Sequence, residues 1–381
     1  MSEISTAVAM SGGVDSSVAA CLLAREGRRV VGFSMQLVDR LAGEENRYGR
    51  CCSPDDFRDA RRVADHFGFP HYIVDMEEEF RRLVIQPFAD DYASGRTPSP
   101  CVGCNSYLKF GALVGRARAV GADRVATGHY AILEKDPRSG RTLLRQAVDV
   151  GKDQSYFLFD LSEEQRRRAE FPLGRLNKDD VRALAHEMGL VTAAKPESMD
   201  LCFVAEGESY RHFLERNDLT PGEAPGQIVD RDGQVLGEHS GVAHFTVGQR
   251  RGIGLSSDRR LYVLSVEPDS RRVVVGDDAD LHRDHCVLER TRWIPFDRPG
   301  GPVRARVRIR STHDGAPATI TDLGERRAKV CFDEPQRAIT PGQAAVAYDG
   351  DLVLGGGWIG AGTSRYDPVS WARQENFLEK V

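Results

Sequence analysis

Two short stretches of this chain combine residue types at spacings that suit chemistry. The first is Ser11-Gly12-Gly13-Val14-Asp15-Ser16-Ser17, entered through Ala9 and Met10. Its glycines permit positive φ and close approach of backbone to an anion. Between a strand and a helix, the amides and hydroxyls of such a loop cradle phosphate oxygens. A Walker-A loop would end in Gly-Lys-Ser/Thr. No such lysine follows here, which disfavours γ-phosphate transfer. The plainer reading is a Gly-rich turn with Asp15 or Ser16 as a helix cap, and the strand–loop–helix setting weighs against it.

The second stretch is Cys101-Val102-Gly103-Cys104, approached through Thr97-Pro98-Ser99-Pro100. The prolines stiffen the approach. Cys104 is expected near a helix N-terminus, where the macrodipole favours a thiolate nucleophile. Cys202, in Ser198-Met199-Asp200-Leu201-Cys202-Phe203, is a third candidate. On residue types alone, the pair reads as a redox couple, half a zinc site or coincidence, and Cys202 as a core thiol. Cys51-Cys52 follows the second expected strand. It reads equally as a fourth zinc ligand, a sulfur acceptor or a pair without function.

Strands alternating with helices must position these residues. Thr6–Met10, Val30–Met35, His71–Val74 and Asp123–Thr127 read as strands. Asp15–Glu26, Pro54–Phe67 and Cys104–Val120 read as helices, with Val18, Leu22, Leu23, Leu108, Ala112 and Leu113 inward. That order predicts a Rossmann-like parallel sheet covered on both faces, with ligands at the C-terminal strand ends. Met35 and Gly128 end two of the strands. The texture changes near Cys202, and short alternating runs dominate from Gly241 onward. The expected organisation is a catalytic α/β domain over 1–206, a small central domain over 207–283, a C-terminal β-barrel over 284–366 and a tail over 367–381.

The 381 residues carry a net charge of -5 and eight cysteines. This argues against a generally basic nucleic-acid binder but allows a local basic groove. The first residues lack the n- and h-regions of a signal peptide. No stretch approaches the ~20 apolar residues of a membrane span. A soluble cytoplasmic protein with reduced thiols and no membrane partner is expected. One basic groove is legible: Arg304, Arg306, Arg308 and Arg310 alternate with Ala305, Val307 and Ile309. On a strand, period two would put the four guanidiniums on one face, as a footprint for phosphates or a face paired with neighbouring acids.

The Ser11–Ser17 loop resembles the pyrophosphate loop of the N-type ATP pyrophosphatases. With Thr97–Asn105, Ala126–Tyr130, Gly151–Phe157 and His244–Arg250 in this order, the chain resembles the MnmA family of tRNA-specific 2-thiouridylases from about Thr6 to Trp358. The resemblance implies ATP-dependent 2-thiolation of the wobble uridine in tRNAs for Lys, Glu and Gln. AMP is transferred to the uracil C2 oxygen and sulfur then attacks C2. It implies Cys104 as nucleophile, Cys202 as persulfide carrier and a transient disulfide between them. It implies ATP contacts from Ala9 through Ser16, Met35 and Gly128, with Mg²⁺ accompanying ATP. It implies tRNA contacts at His129, Lys152, Asp153, Gln154, Arg308, Ile309 and Gln343. The sulfur donor it implies is a cysteine desulfurase, a sulfur-relay protein or sulfide. Many family members have Asp where this chain has Cys101. The set Cys101, Cys104 and Cys202 suits a 4Fe–4S cluster with one open iron, weighed against a metal-free persulfide relay or zinc. The rival activity is that of another tRNA-modifying or amide-forming synthetase with the same loop.

Overall fold

The computed structural model describes residues 5–37, 53–196, 201–205, 207–219 and 224–360. Cys51, Cys52 and the expected 367–381 tail lie outside the described residues. The first strands are β1 (Ser5–Ala9), β2 (Arg29–Gln36), β3 (His71–Asp75), β4 (Arg124–Ala126), β5 (Ile132–Lys135), β6 (Thr142–Arg145) and β7 (Ala169–Glu170). Five of them form an all-parallel sheet in the order β3-β2-β1-β4-β7. Alternation along the strands divides the apolar residues between two cores. Ala7, Val31, Phe33 and Val125 face one, and Val8, Val30 and Ala126 face the other. This is why the strands read as nearly continuous apolar runs.

Helix α1 (Val14–Arg25) follows β1, and Val18 and Leu23 are buried while Leu22 is only partly so. Helix α2 (Pro54–Phe67) starts at a reciprocal Ser53/Asp56 capping box and ends on left-handed Gly68. The other face is covered by a helix over 77–93 and another over 100–119. Both contain wide π-turns, over Arg81–Ile85 and Cys104–Ala112. In the first helix the cause is Pro87, which lacks the N–H that would meet Leu83. In the second, the Gln165 side-chain amide donates to the carbonyls of Ser106 (2.6 Å) and Phe110 (3.0 Å), satisfying acceptors within the widened turn. The helix of the cysteines therefore begins at Pro100, ahead of the expected start at Cys104.

Beyond Cys202, a helix over Tyr210–Arg216, capped by Ser209, interrupts the weakly periodic stretch. The strands β8 (Gly226–Val229), β9 (Val235–His239), β10 (Tyr262–Glu267) and β11 (Arg272–Gly276) then make a small sheet. The last six are β12 (His282–Trp293), β13 (Val303–Arg308), β14 (Ala316–Gly324), β15 (Arg327–Arg337), β16 (Ala344–Asp349) and β17 (Leu352–Ile359). They close into a barrel through the β12–β17 pairing. The β5–β6 hairpin, from the first 206 residues, extends this sheet at Leu352↔Arg145. It is braced by the fully buried Arg166, whose guanidinium donates to Thr142 O (2.7 Å) and Glu163 Oε2 (2.9 Å). Burial pulls that guanidinium down to about 10 despite Glu163. No helix among the described residues is long and apolar enough to cross a membrane.

Candidate active site

The Ser11–Ser17 loop leaves the C-terminal end of β1 in the middle of the sheet. Gly12 has φ +73°, and a Cβ there would lie 2.4 Å from Asp56 O. Only glycine fits both constraints. Gly13 is the N-cap of α1 and offers no side-chain oxygen. Intrahelical bonding leaves the N–H donors of the first turn unused, as an anion requires. Ser16 Oγ accepts from Ser11 N (3.1 Å), and Ser17 Oγ donates to Gly13 O (2.8 Å), which fixes the loop.

Asp15 is held from two directions. Lys178 Nζ donates to its carboxylate oxygens at 2.7 and 2.9 Å, and Tyr130 Oη donates to Oδ1 at 2.8 Å. A bare carboxylate beside a phosphate site would repel the ligand, and the buried lysine neutralises it. Lys195 bonds Asp56 (2.7 Å) and Asp59 (2.8 Å) on the helix beneath Gly12. Sequence reading met Tyr130 only as the end of the Ala126–Tyr130 motif and did not find Lys178 or Lys195. Their partners are remote in the chain, and no local pattern marks them.

The order of the strands places β4 beside β1. Gly128 follows β4, and a Cβ there would lie 2.6 Å from Ser16 N and 2.7 Å from Asp15 C. The close approach that demands glycine in this structure is to the loop itself. Met10 lies between β1 and the loop. Its side chain is buried against Gly32, its N–H donates to Phe33 O and its carbonyl accepts from Ser34. Its N–H and one lone pair of its carbonyl are thus engaged in holding β1 against β2. Ala9 and Met35 are half-buried at their strand ends.

The helix over 100–119 leads directly into β4 and so runs back along the sheet. Its N-terminal cysteines therefore sit at the edge where β1 and β4 end. His129 joins that helix to the loop region. Its Nδ1 is 2.6 Å from Thr127 Oγ1 and its Nε2 is 3.4 Å from Lys109 Nζ, while Phe171 packs edge-on. Lys109 can only donate, so Nε2 accepts and Nδ1–H donates to Thr127. Burial, then the Lys109 charge, hold the imidazole neutral, well below its ordinary range. Lys109 is another residue the sequence reading missed. Asp15 and Ser16, Gly128, His129 and Lys109 thus form one continuous run, and Cys104 opens the π-helical stretch that carries Lys109.

Cys104 is 9% exposed and Cys101 half-buried. Cys101 occupies the first turn, so it, more than Cys104, feels the helix N-terminus. Cys202 is half-buried beside Phe203, whose ring packs on Phe80 and Phe88 of the helix over 77–93. The cysteine helix rests on the same helix, with Gly103 over Leu83 O. Among the described residues, however, no three His, Cys, Asp or Glu side chains are grouped as a metal requires. The three-thiolate set expected for a 4Fe–4S cluster is not assembled in this arrangement.

Most residues expected to touch RNA are committed elsewhere. The Asp153 carboxylate is 1% exposed and accepts from Ala147 N, Ser155 N, Ser155 Oγ, Gln146 Nε2 and Arg308 Nη1. Gln154 accepts from Tyr130 N through its side chain and donates to Tyr130 O through its backbone. Lys152 is half-buried in a short 3-10 turn. Arg308 lies over the rings of Tyr156 and Tyr348 and donates to His313 O and Asp153. Ile309 is 2% exposed in the barrel core, so its side chain meets no RNA. Gln343 donates to Thr97 O (3.1 Å) and Pro98 O (3.0 Å). The arginine stripe also shortens, because β13 ends at Arg308 and Arg310 lies past it. Arg304 pairs with Asp333 at 2.8 Å, the neighbouring-acid arrangement, while Arg306 is exposed and donates to Gly315 O (2.8 Å).

Comparison with known proteins matches three stretches of the chain. Residues 4–206 match the family described as "tRNA methyl transferase HUP domain", 211–277 its "PRC-barrel domain" and 283–359 the "Aminomethyltransferase beta-barrel domain". The chain is 50% identical to a protein named tRNA-specific 2-thiouridylase MnmA from Solibacter usitatus, over 94% of this chain and 100% of that one. It is 47% identical to the protein of that name from Acidobacterium capsulatum, over 93% and 98%. It is 49% identical to that from Geobacter metallireducens, over 93% and 96%.

Proposed function

The chain belongs to the MnmA family of tRNA-specific 2-thiouridylases, and from that premise we propose that it exchanges the C2 oxygen of the wobble uridine in tRNA for sulfur, using ATP. The observation that carries this reading is the run from the phosphate loop through Gly128 and His129 to Lys109, in the π-helical stretch that Cys104 opens. It joins a site for a leaving pyrophosphate to a thiol at one sheet edge. A methyltransferase reading, suggested by the description of the matched family, leaves both the loop and the paired cysteines without a task.

The chemistry follows from the parts. The uracil C2 oxygen attacks the α-phosphorus of ATP, and the α–β phosphoanhydride bond breaks. Ser11, Gly12, Gly13, Val14 and Ser16, with the first-turn amides of α1, receive the pyrophosphate. Lys178 cancels the charge of Asp15 beside it. Ala9 and Met35 flank the adenine side. Mg²⁺ accompanying ATP neutralises the departing pyrophosphate. A persulfide on Cys202 then attacks C2 and displaces AMP. Cys104 attacks the inner sulfur, releasing 2-thiouridine and leaving a Cys104–Cys202 disulfide, which a thiol reductant resets. A relay needs only these two thiols. That requirement favours it over a 4Fe–4S cluster, for which Cys202 would have to close on both Cys101 and Cys104. The persulfide sulfur arrives as sulfane sulfur from a desulfurase or a relay protein, or from sulfide that opens the Cys104–Cys202 disulfide, which itself supplies the oxidising equivalents. Lys152 and Arg306 are the cations best disposed toward the tRNA backbone.

The test is mass spectrometry of tRNA incubated with ATP, sulfur donor and either wild-type protein or the Cys104→Ser, Cys202→Ser and Cys101→Ser variants, with iron measured in anaerobically purified protein. Thiolation should vanish with Cys104→Ser and Cys202→Ser and persist with Cys101→Ser, without stoichiometric iron. Loss in all three variants together with bound iron would establish the cluster instead.

A further inference from the structure

The segment leading into the cysteine helix is gripped by both downstream modules. Barrel residues Thr340-Pro341-Gly342-Gln343 dock on it. Thr97 N donates to Pro341 O (2.8 Å), and Gln343 Nε2 donates to the carbonyls of Thr97 and Pro98 (3.1 and 3.0 Å). Gly342 has φ +87°, and a Cβ there would lie 2.9 Å from both Thr97 N and Thr97 O. The turn is itself tied to β17, with Gly342 N donating to Ile359 O (2.8 Å) and Ile359 N to Gln343 O (2.8 Å). From the central module, Pro268 and Val266 stand 2.9 and 3.0 Å from where a Cβ of Gly95 would be. Buried Arg96, between these grips, is anchored to Asp91.

We propose that Gln343 is a positioning residue for the sulfur chemistry: through Thr97 and Pro98 it fixes the start of the cysteine helix, and with it Cys101 and Cys104, relative to the phosphate loop. The Nε2 donors of the side chain are spent on backbone carbonyls of the catalytic module, so they act inside the protein. Three backbone bonds converge on two residues that precede the first cysteine by only a few positions. A shift there moves the thiols as a unit with their helix. The barrel thereby becomes part of the machinery that presents sulfur. The catalytic consequence rests on the thiolation reading, whereas the mechanical one does not.

Gln343→Met removes the amide at similar size. Gln343→Glu replaces the donors by acceptors facing carbonyls, and Gln343→Asn is one methylene too short to reach both. In the full-length protein, kcat for tRNA thiolation should fall about tenfold to a hundredfold, because an ångström of misplacement costs that much. The Kd for tRNA should stay within about twofold, since no phosphate contact is lost. Alkylation of Cys104 by iodoacetamide, read by peptide mass spectrometry, should quicken by about tenfold as the segment loosens. Thermal denaturation identifies any variant that fails to fold, and the remaining two then decide. Unchanged kcat and unchanged alkylation would overturn the proposal. So would a weakened tRNA Kd with unchanged kcat and alkylation, which would make Gln343 an RNA contact. A wild-type protein that does not thiolate tRNA refutes the functional reading, and the alkylation arm still tests the positioning.

Discussion

His129 carries its proton on the side of Thr127 and presents a lone pair to Lys109. Because burial and that lysine hold it neutral, its folded pKa lies below the unfolded value of about 6.5. The sign follows directly. Below about pH 6.5 the unfolded chain takes up a proton that the folded chain refuses, so stability is lost as pH falls, with a slope of at most about 1.4 kcal/mol per pH unit from this group. His71 is shifted the same way, by burial and then Arg61. Denaturant midpoints between pH 7 and pH 5 should therefore fall, and His129→Gln should flatten the decline without abolishing it. A decline equally steep in the variant would mean that His129 is not the buried neutral group described. At this scale the sequence was informative where chemistry is contiguous. The phosphate loop and the cysteine pair each lie within a few consecutive positions. It was silent on Lys178, which meets Asp15 across 163 positions, because nothing local distinguishes that lysine from a solvated one.

The elements were legible to the extent that their periods are ordinary. β1, β2, β3 and helix α2 lie within a residue or two of where alternation and caps place them. The π-turn at Cys104–Ala112 was not legible, since an apolar period of 3.6 or thereabouts serves both forms over so short a run. Its cause is tertiary: Gln165 supplies donors to two of its carbonyls. The contact between β4 and the phosphate loop shows why element-level placement matters. Gly128→Ala would drive a Cβ to 2.6 Å from Ser16 N, and backbone on both sides leaves nothing flexible to yield. Overpacking of this kind costs about 1–3 kcal/mol. Here it displaces the loop, so the KM for ATP should rise about tenfold to a hundredfold while the protein remains folded. An unchanged KM for ATP would show that Gly128 does not set the loop.

Across the whole molecule, the modules read from the sequence as successive are interlocked. The β5–β6 hairpin joins the barrel sheet, and Arg145 bridges Glu134 and Asp351. Such pairing at long range leaves no trace in local pattern. Arg308 is the clearest case of a residue whose meaning changes at this scale. Alternation alone makes it one of a stripe of phosphate-binding arginines, yet it is 19% exposed and pairs with an Asp153 carboxylate that is 1% exposed. Arg308→Ala leaves that buried carboxylate with neutral donors but without the Arg308 cation, and should cost about 1–3 kcal/mol. Thermal denaturation should register the loss, with tRNA affinity in the folded variant changed far less than for Arg306→Ala. A variant of wild-type stability with lost tRNA affinity would restore the arginine to the RNA face. If loop, cysteines and barrel work as one sulfur-transfer machine, the reaction products report it. Wild-type protein, unmodified tRNA, ATP and a sulfur donor should yield AMP, pyrophosphate and tRNA in which one uridine has exchanged oxygen for sulfur, and Cys104→Ser should yield no thiolated tRNA. ADP and phosphate as products, or unchanged tRNA with the wild type, would contradict the account.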